Sequence, residues 1–329
     1  MVSLSVVEAS NSRISSTLPH DLVAVFVGAT NGIGETTLKQ FAKHASKPRL
    51  YFIGRSQEAG DRITTECKTL NVNGEYIFIK ADVSLIHVVD EKRPINILFM
   101  SQGTLITHTK TSEDLHLIAS LAYYSRARFI LNLLPLLRRA TGLRRVVSVF
   151  AGGKEGPIDT NDFQGWKLGL SARGHASSLI TLSHEVFAKK APEVSFVHDF
   201  PGPVKSGIGR GAKSAPMLVL KAVLWVIGPF IYIPNQESGE RHLYFATSAR
   251  YPASASEDGD SGVPLQDGVD TARGTDGKAG SGIYSIDWDG ESAGKKVEET
   301  LEKLRKEDVT EKLWNHTEEE FERILGQKA

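Results

Sequence analysis

Short apolar runs alternate with segments of helical periodicity along most of the chain. The runs are rich in β-branched and aromatic residues and are apolar nearly throughout, as in strands that helices cover on both faces. They read LVAVFVG, RLYFIG, EYIFIKAD, INILFMS, RRVVSVFAG, VSFVHDF and, near the end, IYSIDWDG. This alternation predicts an α/β fold with a doubly wound parallel sheet.

Composition excludes several classes of function. Lys plus Arg and Asp plus Glu both number 39 in 329 residues, so net charge does not favour nucleic-acid binding. Cys67 is the only cysteine, which excludes a disulfide framework, and no spacing of histidines and carboxylates indicates a metal site. The first residues lack a basic start followed by an apolar run, so we expect a cytoplasmic protein.

The chain is expected to form one catalytic domain with additions at both ends. Residues 1–20 are predicted to be a leader, and residues 21–250 a Rossmann-type domain that includes a substrate segment at 207–235. Residues 251–282 are rich in Gly, Ser and Asp, which predicts a mobile loop. Residues 283–329 are predicted to supply a last strand and C-terminal helices of the same domain.

Two segments of the predicted domain are unusual. The apolar stretch 217–234 is interrupted by Lys221 and by a Gly-Pro pair, so its uninterrupted part is shorter than the roughly 20 residues of a membrane span. We expect it to be buried or to face the substrate, and it also allows weak association with a membrane surface. The connection 82–95 is short for a parallel crossover, which normally takes about a dozen residues with a helix.

The sequence GATNGIG lies between the first predicted strand and a predicted helix. Gly28, Gly32 and Gly34 would let the backbone approach a pyrophosphate, and Thr30 and Asn31 can hold the turn in place. After the second strand, where a carboxylate would favour NAD(H), the chain has Arg55, whose guanidinium suits a 2′-phosphate. The sequence therefore predicts NADP(H) in preference to NAD(H).

These motifs resemble those of the short-chain dehydrogenase/reductase family over residues 22–206. GATNGIG is similar to the family's cofactor loop, ADV to its adenine-contacting pair, and PGPVKS to its segment beside the nicotinamide. The resemblance implies a seven-stranded Rossmann-type sheet, a homo-oligomer, and a cofactor site. That site would comprise Gly28, Thr30, Asn31, Gly32, Ile33, Gly34, Arg55, Asp82, Val83, Ser101, Gln102, Gly103, Pro201, Gly202, Val204 and Ser206.

The catalytic positions depart from the family pattern. Ungapped counting places the family's Asn near Ala122, its Ser at Ala151, its Tyr at Ser171 and its Lys at His175. No Tyr-x-x-x-Lys occurs after the fifth predicted strand. The chain resembles fungal members, found among secondary-metabolite genes, that lack this motif. Without the usual acid, worth about 10²–10⁴-fold in rate, orientation of the reactants could still lower the barrier by about 7–11 kcal/mol.

Three residues are candidates for the missing chemistry. His175 could hold the ribose or relay a proton, and Ser171 could donate a hydrogen bond to the substrate. Tyr124, or its neighbour Tyr123, could act as the acid if Arg126 or Arg128 lowered its pKa. Packing roles remain open for each. Ser148 is expected to face a helix layer. Lys154 and Glu155 lie in a polar loop that should border the substrate site, and they are expected to be solvated, with contact to the ligand as the alternative.

Three functions follow from these predictions. The first is an NADP(H)-dependent oxidoreductase acting on a hydrophobic small molecule, a secondary-metabolite intermediate. The second is a cyclase, isomerase or dehydratase on the same fold, which the lost catalytic positions favour. The third is a catalytically inactive protein that binds NADP(H).

Overall fold

The computed structural model describes residues 1–84, 93–211, 230–255 and 262–326, together with residues 223, 225, 227 and 228. Within these ranges seven strands form one parallel sheet in the order β3-β2-β1-β4-β5-β6-β7. The strands are β1 (Val23–Val27), β2 (Arg49–Gly54), β3 (Glu75–Lys80), β4 (Ile97–Met100), β5 (Arg145–Val149), β6 (Ser195–Asp199) and β7 (Ile283–Ile286). The predicted Rossmann-type fold is confirmed.

Helices cover both faces of the sheet. One face carries α1 (Leu4–Asn11), α3 (Gly32–His44), α4 (Gln57–Leu70) and α8 (Asn235–Thr247), with the short α2 (Ile14–Thr17) beside them. The other carries α6 (Ser125–Arg139), α7 (Ala172–Lys190), α9 (Lys295–Lys306) and α10 (Val309–Leu325). A short α5 (Leu117–Ala119) continues through a π-helical turn (Ser120–Tyr124) into α6.

The strands are apolar throughout because successive side chains enter two different cores. In β1, Ala24 and Phe26 pack under α3, whereas Val25 and Val27 pack under α6. All four are at most 3% exposed, which gives an unbroken apolar run instead of an alternating one.

The N-terminal residues are an integral part of the fold, which differs from the leader predicted for residues 1–20. Helix α1 packs on α8, and the Asn11 side-chain amide donates to both the backbone and the carboxylate oxygen of Glu240, at 2.9 and 2.7 Å. Val7 and Ile14 are almost completely buried. The polar composition of this stretch reflects the outer faces of two short helices.

Residues 251–282 also differ from their prediction as a mobile loop. In the described part, Val263 and Ala272 are buried, and Val263 forms a β-bridge with Ser248. The Gly, Ser and Asp residues therefore build tight turns around a few anchored side chains. Residues 256–261 of this stretch, and the short crossover at 85–92, lie outside the described residues.

The apolar stretch 217–234 is described only in part. Trp225 and Phe230 are 83% and 89% exposed, so these two side chains are not buried, and contact with the substrate stays a prediction. The stretch ends beside the segment that follows β6, where the Ile233 amide donates to the Pro203 carbonyl at 2.8 Å. Within the described residues, no helix combines the length and apolar character needed to cross a membrane.

The C-terminal helix α10 covers the outer surface of α6 and α7. Leu313 and Phe321 of α10 are buried against this layer, and the Tyr123 hydroxyl lies 2.7 Å from Thr317 Oγ1. The homo-oligomer stays a prediction.

Candidate active site

The glycine turn joins β1 to α3 in the conformation that the sequence predicts. Gly28 and Gly32 have φ values of +80° and +59°, in the region that side chains other than glycine rarely adopt. A Cβ on Gly28 would lie 2.7 Å from the Gln102 backbone nitrogen. A Cβ on Gly34 would lie 2.4 Å from Ser101 Oγ. The glycines therefore let the turn and α3 close onto the end of β4.

The start of α3 is suited to an anion. Asn31 occupies the N-cap position, but its side chain caps no amide of α3 within the described structure. The first amides of a helix carry partial positive charge and need acceptors. Ser206 approaches from the segment after β6, where its Cβ would lie 3.0 Å from a Cβ on Gly32. Gly32, Asn31 and Ser206, predicted as parts of one site, are thus brought together.

The other end of the turn lies at β2. Thr30 packs against Gly54, where an added Cβ would lie 2.4 Å from Thr30 Cγ2. Arg55 follows directly, is exposed, and makes no ion pair with the described residues. In contrast, Arg62 on α4 is bound to Glu35 through both terminal nitrogens. Arg55 is therefore a cation that remains available beside the turn.

Asp82 lies after β3 and is exposed. Its Oδ1 accepts hydrogen bonds from the backbone amide and the hydroxyl of Ser84, at 3.0 and 2.7 Å. Val83 is buried in the core under α6. Among the described residues, these contacts give the Asp-Val pair a role in ordering the end of β3, and its predicted contact with adenine is untested.

A buried guanidinium ties the ends of β4 and β5 together. Arg126 on α6 donates to the carbonyls of Gln102 and Val149, at 2.9 and 2.8 Å, and to the carbonyl of Leu121. It is 2% exposed, and burial lowers its pKa to about 9. The Arg126 guanidinium points towards these carbonyls, so it does not lower the pKa of Tyr124.

Tyr124 faces α10 instead of the glycine turn. Its hydroxyl lies 2.7 Å from His316 Nε2, and burial raises its pKa well above 10. Arg128 stacks on Phe321, with its Cζ 5.6 Å from the ring centroid. The prediction that Arg126 or Arg128 lowers the pKa of Tyr124 is therefore wrong, because burial dominates and both guanidinium groups point elsewhere.

His175 has both ring nitrogens engaged by the loop before α7. Its Nδ1 accepts from the Asp159 amide at 3.2 Å, which leaves Nε2 to donate to the Phe163 carbonyl at 3.0 Å. It is 2% exposed, and burial lowers its pKa. Ser171 is exposed and its hydroxyl donates to the Leu168 carbonyl at 2.7 Å. In this arrangement His175 positions a loop, and its predicted role towards the ribose is untested.

Ala151, at the family's Ser position, is held by its backbone. Its amide donates to His198 Nε2 at 3.2 Å, and its carbonyl accepts from the Ser177 hydroxyl at 2.6 Å. His198 Nδ1 must then donate to Thr181 Oγ1, 2.8 Å away, and Thr181 donates to Glu155 Oε1 at 2.8 Å. These contacts form a directed chain of hydrogen bonds beneath the loop after β5.

Glu155 ends this chain and is completely buried, so its predicted solvation is wrong. Its Oε1 also accepts from the Ser285 hydroxyl at 2.6 Å, while Oε2 has no partner among the described residues. Burial raises the pKa of Glu155. Ser148 faces the same layer, 3.1 Å from His184 Nε2, as predicted. Burial lowers the pKa of His184 to about 3.

Comparison with known proteins identifies the family. No family model matches the chain. An oxidoreductase of Emericella nidulans is 38% identical over 332 residues, covering 97% of both chains. A protein of Stachybotrys chartarum named short-chain dehydrogenase/reductase SAT2 is 28% identical over 366 residues, covering 100% of this chain and 99% of its own. The chain belongs to the short-chain dehydrogenase/reductase family.

Solved structures agree with this family at the level of the fold. L-sorbose reductase from Gluconobacter frateurii, solved with NADPH and L-sorbose, superposes with a TM-score of 0.53 at 14% identity. The alignment covers 74% of this chain and 97% of the reductase. This short-chain dehydrogenase/reductase is thus an oxidoreductase by its relatives, with additions beyond the shared fold.

Several residues near the site were missed by sequence reasoning. His316 reaches Tyr124 from a helix 192 positions away, and Glu155 was assigned to solvent. His198 and His184 were treated as dispersed, although their rings lie 6.2 Å apart. The one available signal was that β6, SFVHD, carries a histidine and an aspartate in a run predicted to be a buried strand.

Proposed function

We propose that this chain is an NADP(H)-dependent oxidoreductase that reduces or oxidises a hydrophobic small molecule, a secondary-metabolite intermediate, in the cytoplasm. The observation that carries the proposal is the glycine turn, which presents the first amides of α3 without a side-chain cap. A pyrophosphate is the ligand that this combination of close backbone approach and helix dipole favours.

The residues at the turn fit the dinucleotide. Gly28 and Gly34 let the turn and α3 close onto the end of β4, and Asn31 and Ser206 flank the helix start at Gly32. Thr30 and Arg55 lie at the end of β2, where a 2′-phosphate would be held. When bound, the cofactor would supply or accept a hydride. The NADPH complex of the sorbose reductase supports the same assignment here.

The chain's own contribution to proton transfer remains the open part of the proposal. Ala151 offers no hydroxyl, and the nitrogens of His175 are used by the Asp159 and Phe163 backbone. We propose that the exposed Ser171 hydroxyl leaves the Leu168 carbonyl to donate a hydrogen bond to the substrate, with His175 fixing the loop that borders it. Loss of activity in Ser171→Ala with unchanged NADPH affinity would support this role.

A non-redox reaction is the alternative. The absence of an amide at Ala122 and of a hydroxyl at Ala151 favours it, because a reductase of this family normally uses polar side chains there. Mass spectrometry of the product decides between the two. A change of two hydrogens supports the oxidoreductase, whereas an unchanged mass or the loss of water supports a cyclase, isomerase or dehydratase.

Replacing Arg55 with alanine is expected to weaken NADPH binding by about 10–100-fold. The guanidinium can make charge-assisted hydrogen bonds to the 2′-phosphate, and hydrogen bonds to charged groups are worth about 1.5–3 kcal/mol. NADH affinity should be unchanged, because NADH has no such phosphate. Fluorescence titration with both nucleotides measures the two affinities.

Arg13→Ala is a matched control for that experiment. Arg13 is half-buried at the start of α2, and its side chain bonds only to the Pro264 carbonyl among the described residues. Its removal should leave both affinities unchanged. An equal loss of NADPH and NADH affinity in Arg55→Ala would contradict the assignment of Arg55 to the phosphate.

A further inference from the structure

Two cations converge on one aromatic ring at the end of β6. Phe200 is half-buried and directly precedes Pro201 and Gly202. Lys154 Nζ lies 5.1 Å from the centroid of its ring, and Arg173 Cζ lies 4.6 Å from the same centroid. Lys154 comes from the loop after β5 and Arg173 from the first turn of α7, so three elements meet here.

Hydrogen bonds to the backbone hold the loop after β5 against the start of α7. The Gly156 amide donates to the Gly174 carbonyl at 3.0 Å, and a Cβ on Gly174 would lie 3.2 Å from Gly156 Cα. Ser178 of α7 also bonds both the amide and the carbonyl of Gly156. The loop and the helix start therefore cannot separate without breaking these contacts, and the two cations are held beside Phe200 by the fold.

Of the two cations beside Phe200, only one has a carboxylate partner among the described residues. Lys154 is paired with Asp287, at 2.9 Å. Arg173 makes no ion pair within the described residues, and the first turn of α7 carries no acidic residue. A cation at this end of a helix is opposed by the helix dipole, so its presence there needs an anionic partner to be favourable.

Two carboxylates of the loop before α7 are engaged by backbone amides. Asp159 accepts from the Asn161 amide at 2.9 Å, and Asp162 accepts from the amides of Trp166 and Lys167 at 3.1 and 2.8 Å. These bonds turn both groups towards their own loop. Arg173 is exposed and remains available to an incoming anion.

We propose that Lys154, Arg173 and Phe200 form a binding site for a carboxylate carried by the substrate. The site rests on the proposed function, since it adjoins the Pro201-Gly202 segment where the nicotinamide would lie. The ring supports the apolar part of the molecule, while the guanidinium binds the carboxylate through two parallel hydrogen bonds. The substrate class is thus a carboxylic acid with an apolar or aromatic body.

An acid and its methyl ester test this proposal. The probes are benzoylformate and methyl benzoylformate, which differ in charge and share a carbonyl and an aromatic ring. Isothermal titration of the full-length protein saturated with NADP⁺, which cannot reduce the carbonyl of either probe, is expected to show at least tenfold tighter binding of the acid. Equal affinities for acid and ester would overturn the proposal.

Variants assign the difference to the cations. Arg173→Gln should weaken acid binding at least tenfold and leave ester binding unchanged, and Asp287→Asn should strengthen acid binding by releasing Lys154. Lys189→Gln is the matched control, because Lys189 is exposed at the far end of α7. An equal loss for acid and ester in Arg173→Gln would show a structural role and overturn the site.

The same titrations separate this site from the cofactor assignment. NADPH is first titrated alone. If NADPH does not bind but the free protein still prefers the acid to the ester, the proposed function fails and the carboxylate site stands. If NADPH binds and the acid shows no preference over the ester in either form, the carboxylate site fails and the cofactor assignment stands.

Discussion

Replacing Gly28 with alanine is expected to lower the free energy of unfolding by about 3 kcal/mol and to abolish measurable NADPH binding. The φ of +80° costs an alanine about 1–2 kcal/mol. The added Cβ would also lie 2.7 Å from the backbone nitrogen of Gln102, and relieving such an overlap costs about 1–3 kcal/mol more. Either β1 or β4 must shift, which displaces the amides of the turn. Denaturant unfolding and fluorescence titration measure the two effects.

Gly268 provides a matched control for the backbone term. Its φ is also +80°, but an added Cβ there would have no atom within 4 Å. Gly268→Ala should therefore cost only about 1–2 kcal/mol and leave NADPH affinity unchanged. If both variants lost the same stability and Gly28→Ala still bound NADPH, close approach of the turn to Gln102 would not matter for the site.

The sheet and the glycine turn could be predicted because their determinants are local. Each strand is a short apolar run between turn signals, and all seven candidate runs contain a strand. GATNGIG needs only its own spacing and position after a strand to be interpreted. The parallel direction of the strands then follows from the helices predicted between them.

The polar interior could not be predicted because its partners are distant in sequence. Tyr124 gains His316 across 192 positions, and Glu155 gains Ser285 across 130. A tyrosine on a helix and a carboxylate in a polar loop give no local sign of burial. Tertiary packing against α10 and β7 buries both groups. Burial raises the pKa of each group and so favours its neutral form.

The buried polar groups also hold the backbone of the candidate site in place without placing a catalytic side chain there. The backbone of Ala151 is held from below by His198 and Ser177, so the loop after β5 keeps its path without a side-chain hydroxyl. His198 can accept from Ala151 only while it is neutral, and burial lowers its pKa well below the ordinary value. The loop is therefore ordered by groups that must stay uncharged.

The stability of the protein is accordingly expected to fall as the pH decreases below about 6.5. His184 has a pKa of about 3 in the folded state and about 6.5 when unfolded, so between these values only the unfolded chain binds the proton. Stability is fully present above pH 6.5 and is lost progressively towards pH 3. His198 acts in the same direction. Glu155, whose pKa is raised, acts in the opposite direction and offsets part of the loss.

His184→Gln isolates this effect. Glutamine can still bond the Ser148 hydroxyl but cannot take up a proton, so the slope of unfolding free energy against pH should fall by about 1.4 kcal/mol per pH unit between pH 6 and 4. At pH 7 the variant should be less stable by about 1 kcal/mol, because glutamine packs less well against Phe196. At pH 4.5 the order should reverse, because the variant avoids a protonation cost of about 3 kcal/mol.

The crossing of the two stability curves is the decisive feature, since a simple packing defect would displace them in parallel. His20→Gln is the control, because His20 is exposed and contacts Ser46 at the surface. Its curve should follow that of the unmodified protein. Parallel curves for His184→Gln and the unmodified protein would mean that His184 exchanges protons with solvent in the folded state, and that the layer beneath the loop after β5 is open to water.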